Sequence, residues 1–314
     1  MTGKRDHGGG IDDAVHQFGG ARANWLDLST GINPSPYPTD AITQSDWCEL
    51  PDKGAFSRLE TAARSFWNIP DAAAVMATPG ASSPIAMIPH ILSAGTVNIA
   101  RATYNEHAAA FSGAGWEIVQ GGADAHVVVH PNNPDGSLFS PDDPTKRLLV
   151  IDESFCDVCP ENSHIIRSVD KNTLVLKSFG KFWGLAGLRL GMVIGDPVLI
   201  NALRQRIGPW QVSGPALSVG TAALNDLAWA KKTRERLKTD AEILDQMMND
   251  AGHATVGGTT LFRLYEVENA QDLQITLANH HIWTRIFPYS KNWIRLGLPG
   301  CATDWARLAK ALKT

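Results

Sequence analysis

The chain has 314 residues, 44% hydrophobic and 19% charged, with a formal net charge of -4. That length can bury two cores, and the mild acidity, with no basic block, excludes nucleic acid and anionic membrane surfaces as expected partners. No apolar run approaches the roughly 20 residues that span a bilayer, and the opening Met1-Thr2-Gly3-Lys4-Arg5-Asp6-His7 is polar, unlike a signal peptide, so a cytoplasmic protein is expected. Residues 1 to about 40 are rich in Gly and Pro and are predicted to be irregular and extended. Ser57, with Glu60 three residues on, predicts a capping box for a helix over 58–67. Pro79-Gly80-Ala81-Ser82-Ser83-Pro84 predicts the start of a helix running towards Leu92. The exposed amides of such a start attract anions, and Ala81 and Ser82 are the candidates. Short apolar runs at 96–100, 118–119, 126–129, 148–151, 173–176 and 192–194 alternate with helical stretches. That order predicts an α/β fold, a mostly parallel sheet sandwiched by helices. Residues 197–250 read as largely helical, broken at Ser213-Gly214-Pro215. Strands and helices then alternate over 261–265, 272–279, 282–286, 293–298 and 303–312, as in a small α+β domain. The expected organisation is an N-terminal arm, 1–40, packing with the small domain, a large domain, 41–225, and a small C-terminal domain, 226–314.

Three segments carry chemistry. The first is Ser178-Phe179-Gly180-Lys181-Phe182-Trp183-Gly184-Leu185-Ala186-Gly187-Leu188-Arg189-Leu190-Gly191. It sets an amine, Lys181, between a hydroxyl, Ser178, and a guanidinium, Arg189. An amine can condense with an aldehyde, and a planar guanidinium can hold two phosphate oxygens at once. The second is Val150-Ile151-Asp152-Glu153-Ser154-Phe155, where an apolar run ends in an acid. Asp152 is therefore predicted at the carboxyl end of a buried parallel strand, the edge where open α/β sheets bind ligands. The third is His130-Pro131-Asn132-Asn133-Pro134-Asp135-Gly136, a turn sequence carrying Asn133. Cys156 and Cys159 form a C-x-x-C with no second pair at zinc spacing. They read as reduced structural thiols, and no metal site is expected.

These segments, in this order, resemble the fold-type-I pyridoxal-phosphate enzymes of the aspartate aminotransferase superfamily. The resemblance implies that Lys181 carries the cofactor and that Asp152 pairs with its pyridine nitrogen. It places Asn133 at the phenolic oxygen and a stacking aromatic at Tyr104. It implies that Gly80, Ala81, Ser82, Ser178 and Arg189 surround the cofactor phosphate. His7-Gly8-Gly9 and Leu26-Asp27-Leu28-Ser29-Thr30-Gly31-Ile32-Asn33-Pro34 are similar to the N-terminus of the threonine-phosphate decarboxylases of cobalamin biosynthesis, relatives of histidinol-phosphate aminotransferase. The resemblance implies that Phe155 fits that subfamily: many aminotransferases carry a tyrosine there that touches the phenolic oxygen, a bond phenylalanine cannot make, and the decarboxylase relatives tolerate phenylalanine. Trp293-Ile294-Arg295-Leu296-Gly297 matches the motif of a carboxylate-binding arginine. His7, Gly8, Gly9, Asn33, Arg285 and Arg295 are the expected substrate residues. The resemblance implies decarboxylation of L-threonine O-3-phosphate to (R)-1-aminopropan-2-yl phosphate by a homodimer. One departure is Leu50-Pro51-Asp52, where relatives carry a tyrosine that reaches the partner subunit's cofactor phosphate; leucine makes no such bond. Two other readings fit the same residues: a histidinol-phosphate-type aminotransferase using 2-oxoglutarate, and a catalytically silent partner of a cobalamin-pathway ligase.

Overall fold

The computed structural model describes residues 6–40, 42–140 and 147–313; the first five residues of the polar opening lie outside them. The chain divides into two compact units. The larger holds Pro36–Asn133 and Leu138–Lys231. The smaller holds the N-terminal residues through Ser35, Pro134–Ser137 and the chain from Lys232. The division falls inside the helix Leu227–Asp250.

In the larger unit seven strands form one sheet. Their order is Ala74–Pro79, Leu190–Gly195, Thr173–Ser178, Leu148–Asp152, Ala125–Val129, Thr96–Ile99, Glu117–Val119. Leu190–Gly195 runs antiparallel to both neighbours, and the remaining pairs are parallel. Leu148–Asp152 and Leu190–Gly195 are buried at every position, as continuous apolar runs must be when helices cover both faces. A core of Ile85, Ile88, Phe111, Val150, Leu176 and Leu203 packs there. Burying each such side chain stabilises the fold by about 1.5–3 kcal/mol. Ala74–Pro79 joins the six predicted strands; its alanines gave the run little apolar contrast.

Two helices differ from expectation. The helix over 58–67 begins earlier, as Lys53–Trp67, and its cap is Asp52 rather than Ser57. The Asp52 carboxylate accepts the Ala55 N–H at 2.8 Å, and its charge suits the positive end of the helix. Glu60 pairs instead with Arg64, one turn on. The helix expected to run to Leu92 is short. It spans Ser82–Met87 and tightens into a 3-10 turn, Ile88–His90, where Pro89 has no N–H to extend an α-helix.

In the smaller unit four antiparallel strands take the order Arg285–Phe287, Ser290–Gly297, Phe262–Glu266, Ala254–Thr259. Leu26–Asp27 pairs in parallel with Ile282–Trp283. The N-terminal stretch is not wholly irregular: it contains the helix Ile11–Phe18. Ile11, Ala14, Val15 and Phe18 share one helical face and cluster with Trp25, while Asp12 and Asp13 occupy the first turn. The flanking glycines masked this periodicity in the sequence.

Candidate active site

One edge of the seven-stranded sheet collects the chemistry. The parallel strands end there, and the reversed strand begins there: Ser178 is in register with Gly191, and Pro79 with Leu190. Gly80–Ser82, Tyr104, Asn133, Asp152–Phe155, Ser178–Lys181 and Arg189 all follow or precede strand ends at this edge. That is where the topology of an open α/β sheet leaves room for a ligand.

Arg189 enters the reversed strand in a left-handed conformation, φ 54°. Its Nη2 donates to Ser82 Oγ at 2.8 Å and its Nη1 to the Ala186 carbonyl at 3.1 Å. A Cβ on Gly80 would lie 2.6 Å from Arg189 Nη2, and one on Gly191 would lie 2.7 Å from the Ala81 nitrogen. Glycine at both positions is what lets the guanidinium and the Gly80–Ala81 backbone come together. Ser178 Oγ accepts the Gly180 N–H at 3.2 Å and thereby shapes the turn before Lys181. A guanidinium, two hydroxyls and a close-packed glycine turn form a donor set suited to a phosphate dianion.

Asp152 is buried. Its Oδ1 accepts the Ser154 N–H at 3.0 Å and the Ser154 hydroxyl at 2.5 Å, and its Oδ2 lies 2.9 Å from His107 Nε2. Burial alone would raise its pKa, but His107 and Ser154 outweigh burial and hold it below the usual carboxylate range. Asp152 is thus an anion maintained inside the protein. Tyr104 caps the helix Asn105–Gly113 and meets the His107 ring edge-on at 6.1 Å. Burial first, then Asp152 and Glu106, push its phenol up to about 12, so it stays neutral at pH 7. Asn132 takes the Thr103 hydroxyl at 2.6 Å and donates to the Ala102 carbonyl at 3.0 Å, which ties down the turn carrying Asn133. Lys181 Nζ sits 5.3 Å from the centre of the buried Phe155 ring.

His130, Glu153 and Cys156 place potential metal ligands within 4.8 Å of one another. Each of the three already has a hydrogen-bond or ion-pair partner. His130 Nδ1 accepts the Phe139 N–H, so its Nε2 carries the proton and donates to the Asn162 carbonyl. Glu153 is neutralised by Lys177 at 2.5 Å. The Cys156 thiol is pushed up, first by its hydrogen bond with Cys159 and then by burial, so it remains a thiol. All four cysteines are free.

In the smaller unit Arg285 and Arg295 stand directly opposite each other on neighbouring antiparallel strands. Like charges in that position repel. Arg285 is paired with Asp6, through its carboxylate and its carbonyl. Arg295 is buried, lies over the Phe262 ring at 4.9 Å and donates to the Ser29 carbonyl at 2.7 Å. Burial and the Arg285 charge pull its pKa down to about 9. Ser29 also receives the Gly9 N–H on its hydroxyl at 2.7 Å, and Gly8 lies so close to the Ser29 carbonyl that no Cβ would fit. Gly8, Gly9 and Arg295 therefore share Ser29 as a hub. Asn33 is buried, and its Oδ1 accepts from Arg236 at 2.6 Å and from the Ser35 N–H at 3.0 Å. His7 is exposed at the start of this segment.

Residues 24–313 match the family model for aminotransferase class I and II. The chain belongs to the aminotransferase class I and II family. It is 37% identical to a threonine-phosphate decarboxylase of a Sinorhizobium species, over 98% of this chain and 97% of that protein. It is 35% identical to the threonine-phosphate decarboxylase of Pseudomonas aeruginosa, over 98% and 97%. The crystal structure of histidinol-phosphate aminotransferase from Sinorhizobium meliloti, in complex with pyridoxal-5'-phosphate, superimposes with a TM-score of 0.85 at 20% identity, covering 97% of this chain and 93% of that one. For a member of the class I and II family, the residues that sequence pattern did not single out are the supports. Tyr104 and His107 are three apart, the spacing that puts side chains on one helix side, and that signal marks His107. Asp152 and Ser154, two apart, form a local side-chain turn that was legible in principle. The roles of Ser29 and Arg236 depend on partners far along the chain, and no local pattern reveals them.

Proposed function

We propose that this chain decarboxylates L-threonine O-3-phosphate to (R)-1-aminopropan-2-yl phosphate, a step of cobalamin biosynthesis. One observation carries the reading: the similarity to threonine-phosphate decarboxylases runs through nearly the whole of both chains. The histidinol-phosphate aminotransferases match less, at 30% identity over 51% of the chain or 24% over 88%. The chain is a pyridoxal-phosphate-dependent enzyme. Gly80 and Gly191, where a Cβ would collide with Arg189 or the Ala81 backbone, and the donors around them fit the cofactor's phosphate. When bound, the cofactor supplies an electron-accepting ring for the electrons of the Cα–carboxylate bond.

The roles assigned to the chain's own residues follow from their chemistry. Arg189, Ser82, Ser178 and the Gly80–Ala81 turn hold the phosphate. Asp152, kept ionised by His107 and Ser154, pairs with the ring nitrogen. Tyr104 offers a neutral aromatic face, and Asn133 a donor for the phenolic oxygen. Phe155 has no hydroxyl to add there. Lys181 tethers the cofactor and returns a proton to Cα after carbon dioxide leaves. Arg285 and Arg295, two cations in register, suit a substrate with two anionic groups, and His7, Gly8, Gly9 and Asn33 complete the set. The purified, cofactor-loaded protein incubated with L-threonine O-3-phosphate alone is expected to release carbon dioxide and aminopropanol phosphate. Turnover only after 2-oxoglutarate is added would overturn the decarboxylase reading.

We also propose a cytoplasmic homodimer. The free thiols suit a reducing compartment. Trp47 and Leu50, 68% and 70% exposed, give an apolar surface of the kind oligomers bury. Leu50 offers no hydroxyl to a neighbouring cofactor phosphate. Light scattering after size exclusion is expected to give twice the chain mass, and Trp47→Glu to shift it towards one chain. A single-chain mass for the unaltered protein would end the dimer proposal.

A further inference from the structure

A group of buried charges beside the site has no part in the roles above. Lys177, Glu153 and Asp157 are each almost fully buried. Lys177 Nζ lies 2.5 Å from Glu153 Oε2 and 3.7 Å from Asp157 Oδ1. Glu153 also receives the Ser163 hydroxyl at 2.6 Å and the His164 N–H at 2.5 Å. Burial disfavours every charge here. The mutual pairing outweighs it, raising the Lys177 pKa and lowering that of Glu153. One cation with two carboxylates leaves Asp157 less fully neutralised than Glu153. Two indole N–H groups also donate to it: Trp67 Nε1 at 2.8 Å on Oδ1 and Trp183 Nε1 at 3.1 Å on Oδ2.

The two indoles differ in what they carry. Trp67 closes the helix Lys53–Trp67. Trp183 stands two residues after Lys181, in the segment whose Gly184 N–H closes onto the Lys181 carbonyl at 3.1 Å. Asp157 belongs to the 3-10 turn Cys156–Val158, capped by Phe155, the residue whose ring lies beneath Lys181 Nζ. One short turn thus contacts the lysine segment in two places, through the Phe155 ring and through the Asp157–Trp183 bond.

We propose that Asp157 is a positioning residue for Lys181, acting through Trp183, and that the Lys177–Glu153 pair holds Asp157 in place. The inference rests on Lys181 being the cofactor lysine. A buried carboxylate is costly to keep, and a purely structural contact at this site could be apolar. Each of its oxygens takes a different indole N–H, Trp67 on Oδ1 and Trp183 on Oδ2, and a directional hydrogen bond orients its indole as dispersion contacts alone do not. Lys181 is then held ready for the cofactor aldehyde before the cofactor arrives.

The test compares variants that remove equivalent bonds with different consequences for Lys181. Trp67→Phe and Trp183→Phe each delete one indole N–H donor to Asp157. Asp157→Asn keeps the shape but offers one acceptor oxygen to two donors. Pyridoxal phosphate affinity is measured by absorbance titration of the cofactor-free protein, with the thermal midpoint measured alongside. Trp183→Phe and Asp157→Asn are expected to weaken cofactor binding about tenfold, the effect of losing roughly one hydrogen bond. Trp67→Phe is expected to lower the thermal midpoint while leaving the affinity within about twofold of the parent. The double variant Trp67→Phe/Asp157→Asn frees the single oxygen for Trp183, so its affinity is expected to recover although it is less stable than Asp157→Asn. Affinity that falls in step with the midpoint in all four variants, or that is unchanged in Asp157→Asn, would show Asp157 to be structural only. Lys181→Ala separates the two readings. If it weakens cofactor binding and Asp157→Asn then adds nothing, positioning is supported; if Asp157→Asn weakens binding further, positioning is overturned. If Lys181→Ala leaves binding intact, the assignment of Lys181 itself fails and the proposal falls with it.

Discussion

Lys181→Ala is expected to abolish measurable carbon dioxide release while leaving the protein folded. Two contributions disappear together. Returning a proton to carbon by a positioned group accelerates such a step by about 10²–10⁴-fold. The covalent tether that holds the cofactor for exchange with the substrate amine goes as well. A fall in kcat of about 10³-fold or more is the expected sum. The lysine is half-buried over the Phe155 ring, outside the buried Lys177–Glu153 pair, so the thermal midpoint is expected to stay within a few degrees. Lys181→Arg provides the counterpart. It keeps the charge but cannot condense with an aldehyde at neutral pH, and it is expected to be as inactive as alanine. Either variant retaining more than a tenth of parental kcat would remove Lys181 from the chemistry. The same two variants bear on the silent-partner reading, in which biological function would survive the loss of the amine.

Arg295→Met is expected to separate stability from binding. The guanidinium is buried opposite a second arginine, an arrangement that costs folding energy in the free protein. Replacing a buried charge by an apolar side chain of similar volume is often neutral, or stabilising by about 1–4 kcal/mol. The Ser29 carbonyl loses a donor in the exchange, which offsets part of that gain. Substrate affinity moves the other way. Hydrogen bonds to a charged group are worth about 1.5–3 kcal/mol, so KM is expected to rise on the order of 10²-fold. Calorimetry and steady-state kinetics on one preparation check both halves. A variant that loses stability and keeps its KM would contradict the assignment. The parent protein carries a matching pH signature. With a pKa near 9, Arg295 is charged at pH 7 and loses its proton as pH rises through that value. Inhibition by sulfate, whose charge is constant over the range, is expected to weaken above about pH 9. The sign for stability is opposite. The unfolded arginine keeps its proton to higher pH, so the unfolded state binds more protons there and this group's contribution to stability rises with pH.

The proposed site residues were readable because the proposed reaction constrains residue types and order locally. Lys181, Asp152 and Arg189 each lie beside a strand end that apolar runs announce, and the sheet brings them to one edge. What was not readable depends on distant partners. Ser57 looked like a helix cap because Glu60 follows at the right spacing, yet Asp52 supplied a better acceptor one turn earlier. The helix Ile11–Phe18 was hidden by the glycines around it, although its apolar face is regular. The registration of Arg285 with Arg295 follows from a hairpin with an irregular register, which separation along the chain does not give. Asp157 was passed over because a single acid in a short turn has the same local pattern whether it faces water or two buried indoles.

The segment from Phe179 to Arg189 leaves the sheet at Ser178 and rejoins it at Leu190 on the adjacent strand. It is stitched along its length, Leu185 N–H to the Phe179 carbonyl and Leu188 N–H to the Leu185 carbonyl, both at about 3 Å. Its entropy of ordering is therefore spent during folding and not when a ligand arrives. Loading of the cofactor then becomes an encounter problem. With Arg189 holding the cofactor phosphate as proposed, the encounter step is expected to slow as ionic strength screens the attraction between the dianion and this guanidinium.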